Sequence, residues 1–185
     1  MMTKSNLTSL CLGFMGMLLL CRTSSAETLV PFAPLPLTMS GNTERVALGE
    51  RLFHDRRLSD QGNRSCANCH PLDQGAMDGH IHAQSADGIS LLRNTPTLFN
   101  VSFNYFYNWD GMETTLEAHL DKVLLNPKIM NTTWSALLDA LRVDPDYAQA
   151  FSVAYPNGLT RTTVIDALTS FERRLITPNH PSHSR

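Results

Sequence analysis

The segment Ser65-Cys66-Ala67-Asn68-Cys69-His70 places two thiols three positions apart and a histidine directly after the second. That spacing has a specific chemical use. Two thiols can add to the two vinyl groups on one edge of a porphyrin, and the adjacent imidazole then reaches the iron. On this reading Cys66 and Cys69 carry one covalent haem c, and His70 is the proximal iron ligand. Competing uses of a Cys-x-x-Cys pair fit less well. A structural zinc site takes four ligands, and the chain offers neither a second Cys pair nor a well-spaced His pair. A thioredoxin-like pair needs a βαβ context, which the flanking sequence lacks.

Working outward toward the N-terminus, residues 1–26 read as a signal peptide, with Lys4 as the positive region, Leu10 to Leu20 as the apolar run and Ser24-Ser25-Ala26 before the cleavage point. The run is shorter than the roughly 18 to 20 residues needed to span a bilayer, so cleaved export to the periplasm is predicted, with no membrane span afterwards. Leu20 before Cys21 is not the small residue expected at a lipidated cysteine. Cleavage removes Cys11 and Cys21 and leaves Cys66 and Cys69 as the only cysteines. Export also suits the motif, because c-type attachment in bacteria takes place outside the cytoplasm. The 185 residues are 42% hydrophobic and 17% charged, a composition able to bury a core. A net charge of -2 without a long run of one sign points away from nucleic acid and from anionic membrane surfaces as partners.

Residues 27–43 are an extended lead-in with Pro31, Pro34, Pro36 and Gly41. From Glu44 to Asp55, Val46, Leu48, Leu52 and Phe53 share a helical face. Between Arg56 and Asn108, Gly, Asn, Asp, Ser and Pro predominate and a long loop region is predicted, yet Leu98, Phe103 and Trp109 are too apolar for disorder. A porphyrin would give them a surface to pack on. Further on, Thr114-Thr115-Leu116-Glu117 matches a capping box before the stripe Leu116, Leu120, Val123 and Leu124, which ends near Asn126 because Pro127 follows. Thr133, Asp144-Pro145 and Thr160 each open another helix. The predicted class is all-α, a cytochrome-c-like helical domain with long haem-wrapping loops.

The sixth iron position decides between carrier and catalyst, since an occupied site passes electrons and an open one can bind peroxide. Sequence offers His80, His82, His119, Met77, Met112 and Met130 for it, and each also has an ordinary use as a surface histidine or core methionine.

Leu48-Gly49-Glu50-Arg51-Leu52-Phe53, Asp55-Arg57-Leu58-Ser59, Ser65 to His70, Asp78-Gly79, Arg93-Asn94-Thr95-Pro96-Thr97, Asn100, Trp109-Asp110-Gly111 and Phe171-Glu172-Arg173 occur in one order along the chain. As an ordered set over residues 44–180 they resemble the di-haem cytochrome c peroxidases and the related methylamine-utilisation enzymes. The resemblance implies a helical haem domain of the N-terminal, peroxidatic kind, acting on hydrogen peroxide with electrons from a small donor such as a cytochrome c or cupredoxin. The family continues into a second domain with its own Cys-x-x-Cys-His, whereas this chain stops after His180 to Arg185. Residues 181–185 read as an unrelated tail, which favours a truncated product over a natural single-haem form.

The resemblance also implies roles. Trp109 corresponds to the tryptophan between the two haems, or packs on the porphyrin when only one is present. Asn94 corresponds to an asparagine that helps hold a structural calcium whose other ligands come from the second domain. Ile129 stands where the family carries a glutamate near the peroxide site, and His119 where it carries a glutamine. Loss of a positioned acid or base typically slows a reaction about 100-fold to 10,000-fold. Slow peroxide cleavage is expected unless His119, Glu113 or Glu117 substitutes. A non-enzymatic electron-transfer domain, with the iron capped by His80, His82 or Met130, is the alternative.

Overall fold

The computed structural model describes residues 34–85 and 87–178. The predicted signal peptide, the first part of the lead-in (27–33) and the predicted terminal tail lie outside them. The described residues are helical and contain no strand, only isolated bridges between Gln84 and Ser90 and between Tyr107 and Glu113. No described helix is long and apolar enough to cross a membrane.

Helix α1 (Thr43–Phe53) begins where Asn42 accepts a hydrogen bond from the Arg45 amide, and it buries Leu48, Gly49, Leu52 and Phe53. Helix α2 (Cys66–Cys69) is a single turn inside the loop region. Helix α3 (Leu116–Leu125) is capped by Thr115, whose side chain accepts from the Ala118 amide. The cap is thus one residue later than the box beginning at Thr114 predicts, and Glu117 pairs with Arg173 at 2.7 Å instead of reaching back to Thr114. Helices α4 (Trp134–Arg142), α5 (Pro145–Ala154) and α6 (Arg161–Glu172) start at the expected caps Thr133, Asp144 and Thr160.

The first and last helices pack along each other. A methyl group on Gly49 would lie 1.9 Å from the Ala167 carbonyl oxygen, so only glycine allows α1 and α6 this close, and Phe53 meets Phe171 with ring centres 5.2 Å apart. Leu120, Leu124, Leu137, Leu141, Tyr147, Phe151, Val164 and Leu168 complete the core. At one edge Tyr147 donates to Asp55 at 2.8 Å, and the guanidinium groups of Arg51 and Arg57 lie over its ring.

Residues 56–108 hold only α2 and three short 3-10 turns. Leu98 enters the core at 6% exposure, but Phe103 stays 41% and Trp109 58% exposed, so the protein alone does not bury the apolar side chains of this region.

Candidate haem site

The turn α2 is built by the residues between and around the cysteines. Asn68 accepts from the Ser65 amide at 2.8 Å and from its hydroxyl at 3.0 Å, and the His70 amide closes the turn on the Cys66 carbonyl at 2.9 Å. Cys66 and Cys69, nearly one turn apart, are therefore neighbours, and both are free, half-buried thiols. Burial pushes both thiols up, and Glu172 adds to the effect at Cys66. Both thiols are therefore held in the protonated form, unlike the activated thiolate of a redox pair.

His70 leaves the turn and its Nδ1 lies 3.0 Å from the Ala76 carbonyl oxygen. A carbonyl only accepts, so Nδ1 carries the proton and Nε2 presents its lone pair. The turn that delivers this carbonyl is unusual. Gly75 and Ala76 both have left-handed backbones, at φ 78° and 55°, and the Ala76 amide is tied to the Pro71 carbonyl at 3.0 Å. Burial lowers the His70 pKa and keeps the ring neutral. An oriented, neutral imidazole with one free nitrogen is what a metal ligand requires.

These residues fit a haem c. Two adjacent thiols and a free imidazole nitrogen stand beside a loop region with uncovered apolar side chains, and one ring nitrogen nearby, Nδ1 of His119, is buried without a hydrogen-bond partner. His119 is half-buried and stacked on Tyr107 with ring centres 5.9 Å apart. Its pKa is lowered chiefly by burial, with Glu113 and Asp110 acting to raise it and His70 to lower it further.

The other candidates are scattered. His80 and His82 are exposed, and Met112 is 70% exposed. Met77 and His80 line an open recess with Gly79, Ile81, Asn94 and Thr95. Met130 is 3% exposed in the apolar core. Glu113 is covered by its immediate neighbours and pairs with Lys122 and Asn108, which hold its carboxyl below the usual range. Ile129 sits half-buried in the turn after α3. Trp109 donates from Nε1 to the Asn94 carbonyl at 3.0 Å, while the Asn94 amide reaches only its neighbour Thr95, at 3.4 Å. Among the described residues no three His, Cys, Asp or Glu side chains gather into a metal-binding group.

One residue escaped the reading of individual roles. Glu172 is 2% exposed, its Oε2 has no partner, and burial pushes its carboxyl up to about 8. It falls on the apolar stripe Val164, Leu168, Phe171 of α6, so helical periodicity alone marks it as an acid pointing inward.

Residues 43–185 match the sequence model of the di-haem cytochrome c peroxidases. The chain belongs to this family. It is 36% identical over 152 residues to cytochrome c peroxidase Ccp of Escherichia coli K12, covering 82% of this chain and 33% of that protein. It is 34% identical to methylamine utilization protein MauG of Methylorubrum extorquens, covering 80% of this chain and 42% of that protein. Among solved structures, a MauG-like protein associated with microbial copper homeostasis superposes with a TM-score of 0.70 at 26% identity, over 83% of this chain and 47% of that one. The chain thus spans between a third and a half of the length of the relatives it matches. The all-α, cytochrome-c-like fold expected from the caps and the Cys-x-x-Cys-His segment is the fold observed.

Proposed function

We propose that this chain is a periplasmic haem c unit that reduces hydrogen peroxide with electrons from a small redox protein, using one haem joined to Cys66 and Cys69. The observation that carries the reading is the hydrogen bond from His70 to Ala76 beside two free thiols, which orients a neutral imidazole for iron. A haem held there supplies the iron that exchanges electrons and takes peroxide. The chain supplies the rest: the thiols fix the porphyrin edge, the Ala76 carbonyl strengthens His70 as a donor by accepting its Nδ1 proton, and the exposed side chains of Phe103 and Trp109 gain cover. Calcium at Asn94 has weaker support, since its amide contacts only Thr95.

Haem staining of a denaturing gel tests the assignment after expression with the attachment machinery. Wild type is expected to stain, and Cys66→Ala or Cys69→Ala to lose covalent haem. An unstained wild-type band refutes it.

A second reading is supported by Ile129, an aliphatic side chain where a proton-transferring carboxylate is expected. On that reading the unit only carries electrons, and the ferric protein has a six-coordinate, low-spin optical spectrum that peroxide does not change.

A further inference from the structure

The carbonyl that orients His70 belongs to a turn whose own residues do not favour it. Gly75 and Ala76 are left-handed in succession, at φ 78° and 55°, and Ala76, which carries a side chain, is fully buried. Such a backbone persists only where its surroundings hold it. The hold comes from Thr95-Pro96-Thr97, about twenty residues later in the chain. Pro96 restricts Thr95 to extended backbone, in which residues two apart project to the same side. Both hydroxyls are spent on the turn. Thr97 donates to the Gly75 carbonyl at 2.6 Å, and Thr95, itself buried, donates to the Asp78 carboxylate at 2.8 Å. The two grips fall one residue before Ala76 and two residues after it. Each is fixed in turn, since Thr97 Oγ1 accepts from the Phe99 amide and the Asp78 carboxylate accepts from the His80 amide, both at 3.1 Å. The Leu98 amide, next along, points at the Ala76 carbonyl itself at 3.4 Å.

A hydrogen bond donated from Nδ1 makes an imidazole a stronger donor at Nε2, and a stronger donor favours ferric over ferrous iron. That bond weakens steeply with distance and angle, so a carbonyl free to drift gives less of the effect. We propose that Thr95 and Thr97 are positioning residues for His70: by gripping Gly75 and Asp78 they hold the Ala76 carbonyl on Nδ1 and thereby keep the reduction potential of the haem low. The proposal rests on the haem reading above. It gives a use to two hydroxyls that the local sequence marks only as part of a loop. A hydroxyl that merely stabilised the loop would alter unfolding and leave the potential where it is.

Redox titration of the holoprotein at fixed pH, followed by the haem absorption bands, tests this without turnover. Covalent haem content, by alkaline pyridine spectrum, comes first; a wild type without haem overturns the haem reading and the proposal together, whereas haem with an unmoved potential overturns the proposal alone. Direct partners of a metal-bound histidine are typically worth about 10-fold to 100-fold, and the threonines act one bond further out. Thr97→Val and Thr95→Val, which keep the shape and remove the donor, should each shift the ferric–ferrous equilibrium about threefold to tenfold toward ferrous, raising the potential by about 28 to 59 mV. Thr97→Ser and Thr95→Ser, which keep the hydroxyl, should stay within about twofold of wild type, or about 18 mV. Thr133→Ala, which removes the cap of α4, is the control for lost stability: its melting temperature should fall and its potential should not move. If a valine variant does not retain haem, the alanine variant at that position takes its place with the same expected shift. The proposal is overturned if the variant lacking either hydroxyl stays within twofold of wild type or shifts toward ferric, if the serine variants shift as far as the valine ones, or if Thr133→Ala shifts equally.

Discussion

Replacing Glu172 by glutamine isolates the energetic consequence of a carboxyl buried without a partner. The side chain is 2% exposed and holds its proton up to about pH 8, against an ordinary value of 4.5. An unfolded chain releases that proton near 4.5, so between the two values the folded state binds more protons than the unfolded state, and stability falls as pH rises. The stabilisation is fully present below pH 4.5 and is gone above the folded value of about 8. At 1.36 kcal/mol per unit, the change amounts to at most roughly 5 kcal/mol. That is comparable with the entire stability of many domains. Glutamine is neutral throughout and fills nearly the same volume, so Glu172→Gln should lack this slope. Denaturant unfolding of the holoprotein at pH 5, 7 and 9 checks it. The variant should gain on wild type by several kcal/mol between pH 5 and 9. Profiles that remain parallel to within about 1 kcal/mol would falsify the argument and mean that Glu172 is ionised and paired in the folded protein.

Gly49→Ala should destabilise by at least about 3 kcal/mol, because the added methyl meets the Ala167 carbonyl oxygen at 1.9 Å and the Phe171 Cβ at 2.8 Å, both fixed by the α1–α6 packing. A melting temperature within a degree of wild type would show that the helices separate freely. Ile129→Glu should raise peroxide turnover with a small dye donor at least about tenfold, which needs only roughly 1.4 kcal/mol of transition-state stabilisation, if the sixth iron position is open. A wild-type rate already equal to that of complete di-haem enzymes would refute the assignment of Ile129 to the glutamate position.

Local chemistry made most of the helical frame legible. Thr133, Asp144-Pro145 and Thr160 each cap a helix where the sequence places the cap, since a short polar side chain before an apolar stripe has few other uses. Thr114 and Thr115 compete for one cap, which Thr115 takes, while Glu117 pairs with Arg173, 56 residues away and invisible to any local pattern. The loop region was legible as loop but not as shape. Ala76 is an ordinary residue in sequence, and only the folded turn gives it a left-handed backbone and aims its carbonyl at His70. Spacing singled out Cys66, Cys69 and His70, which one short turn brings together. No spacing rule separates His119 from His80 and His82, because the difference lies in tertiary surroundings: one ring is stacked and half-buried, and the others are exposed.

The close crossing of Gly49 and Ala167 also sets a timetable. Its partners are separated by 118 positions in the chain, and the contact cannot form until α6 has been synthesised. At roughly 5 to 20 residues per second, that leaves an interval on the order of ten seconds after α1 emerges. Throughout it α1 lacks the helix whose Phe171 meets Phe53, and Cys66 lacks the neighbour Glu172 that helps suppress its ionisation. The Cys66 thiol is then more acidic than in the finished fold. The non-local closure of this domain thereby brings Cys66 to its buried, weakly acidic state only once the last helix has docked.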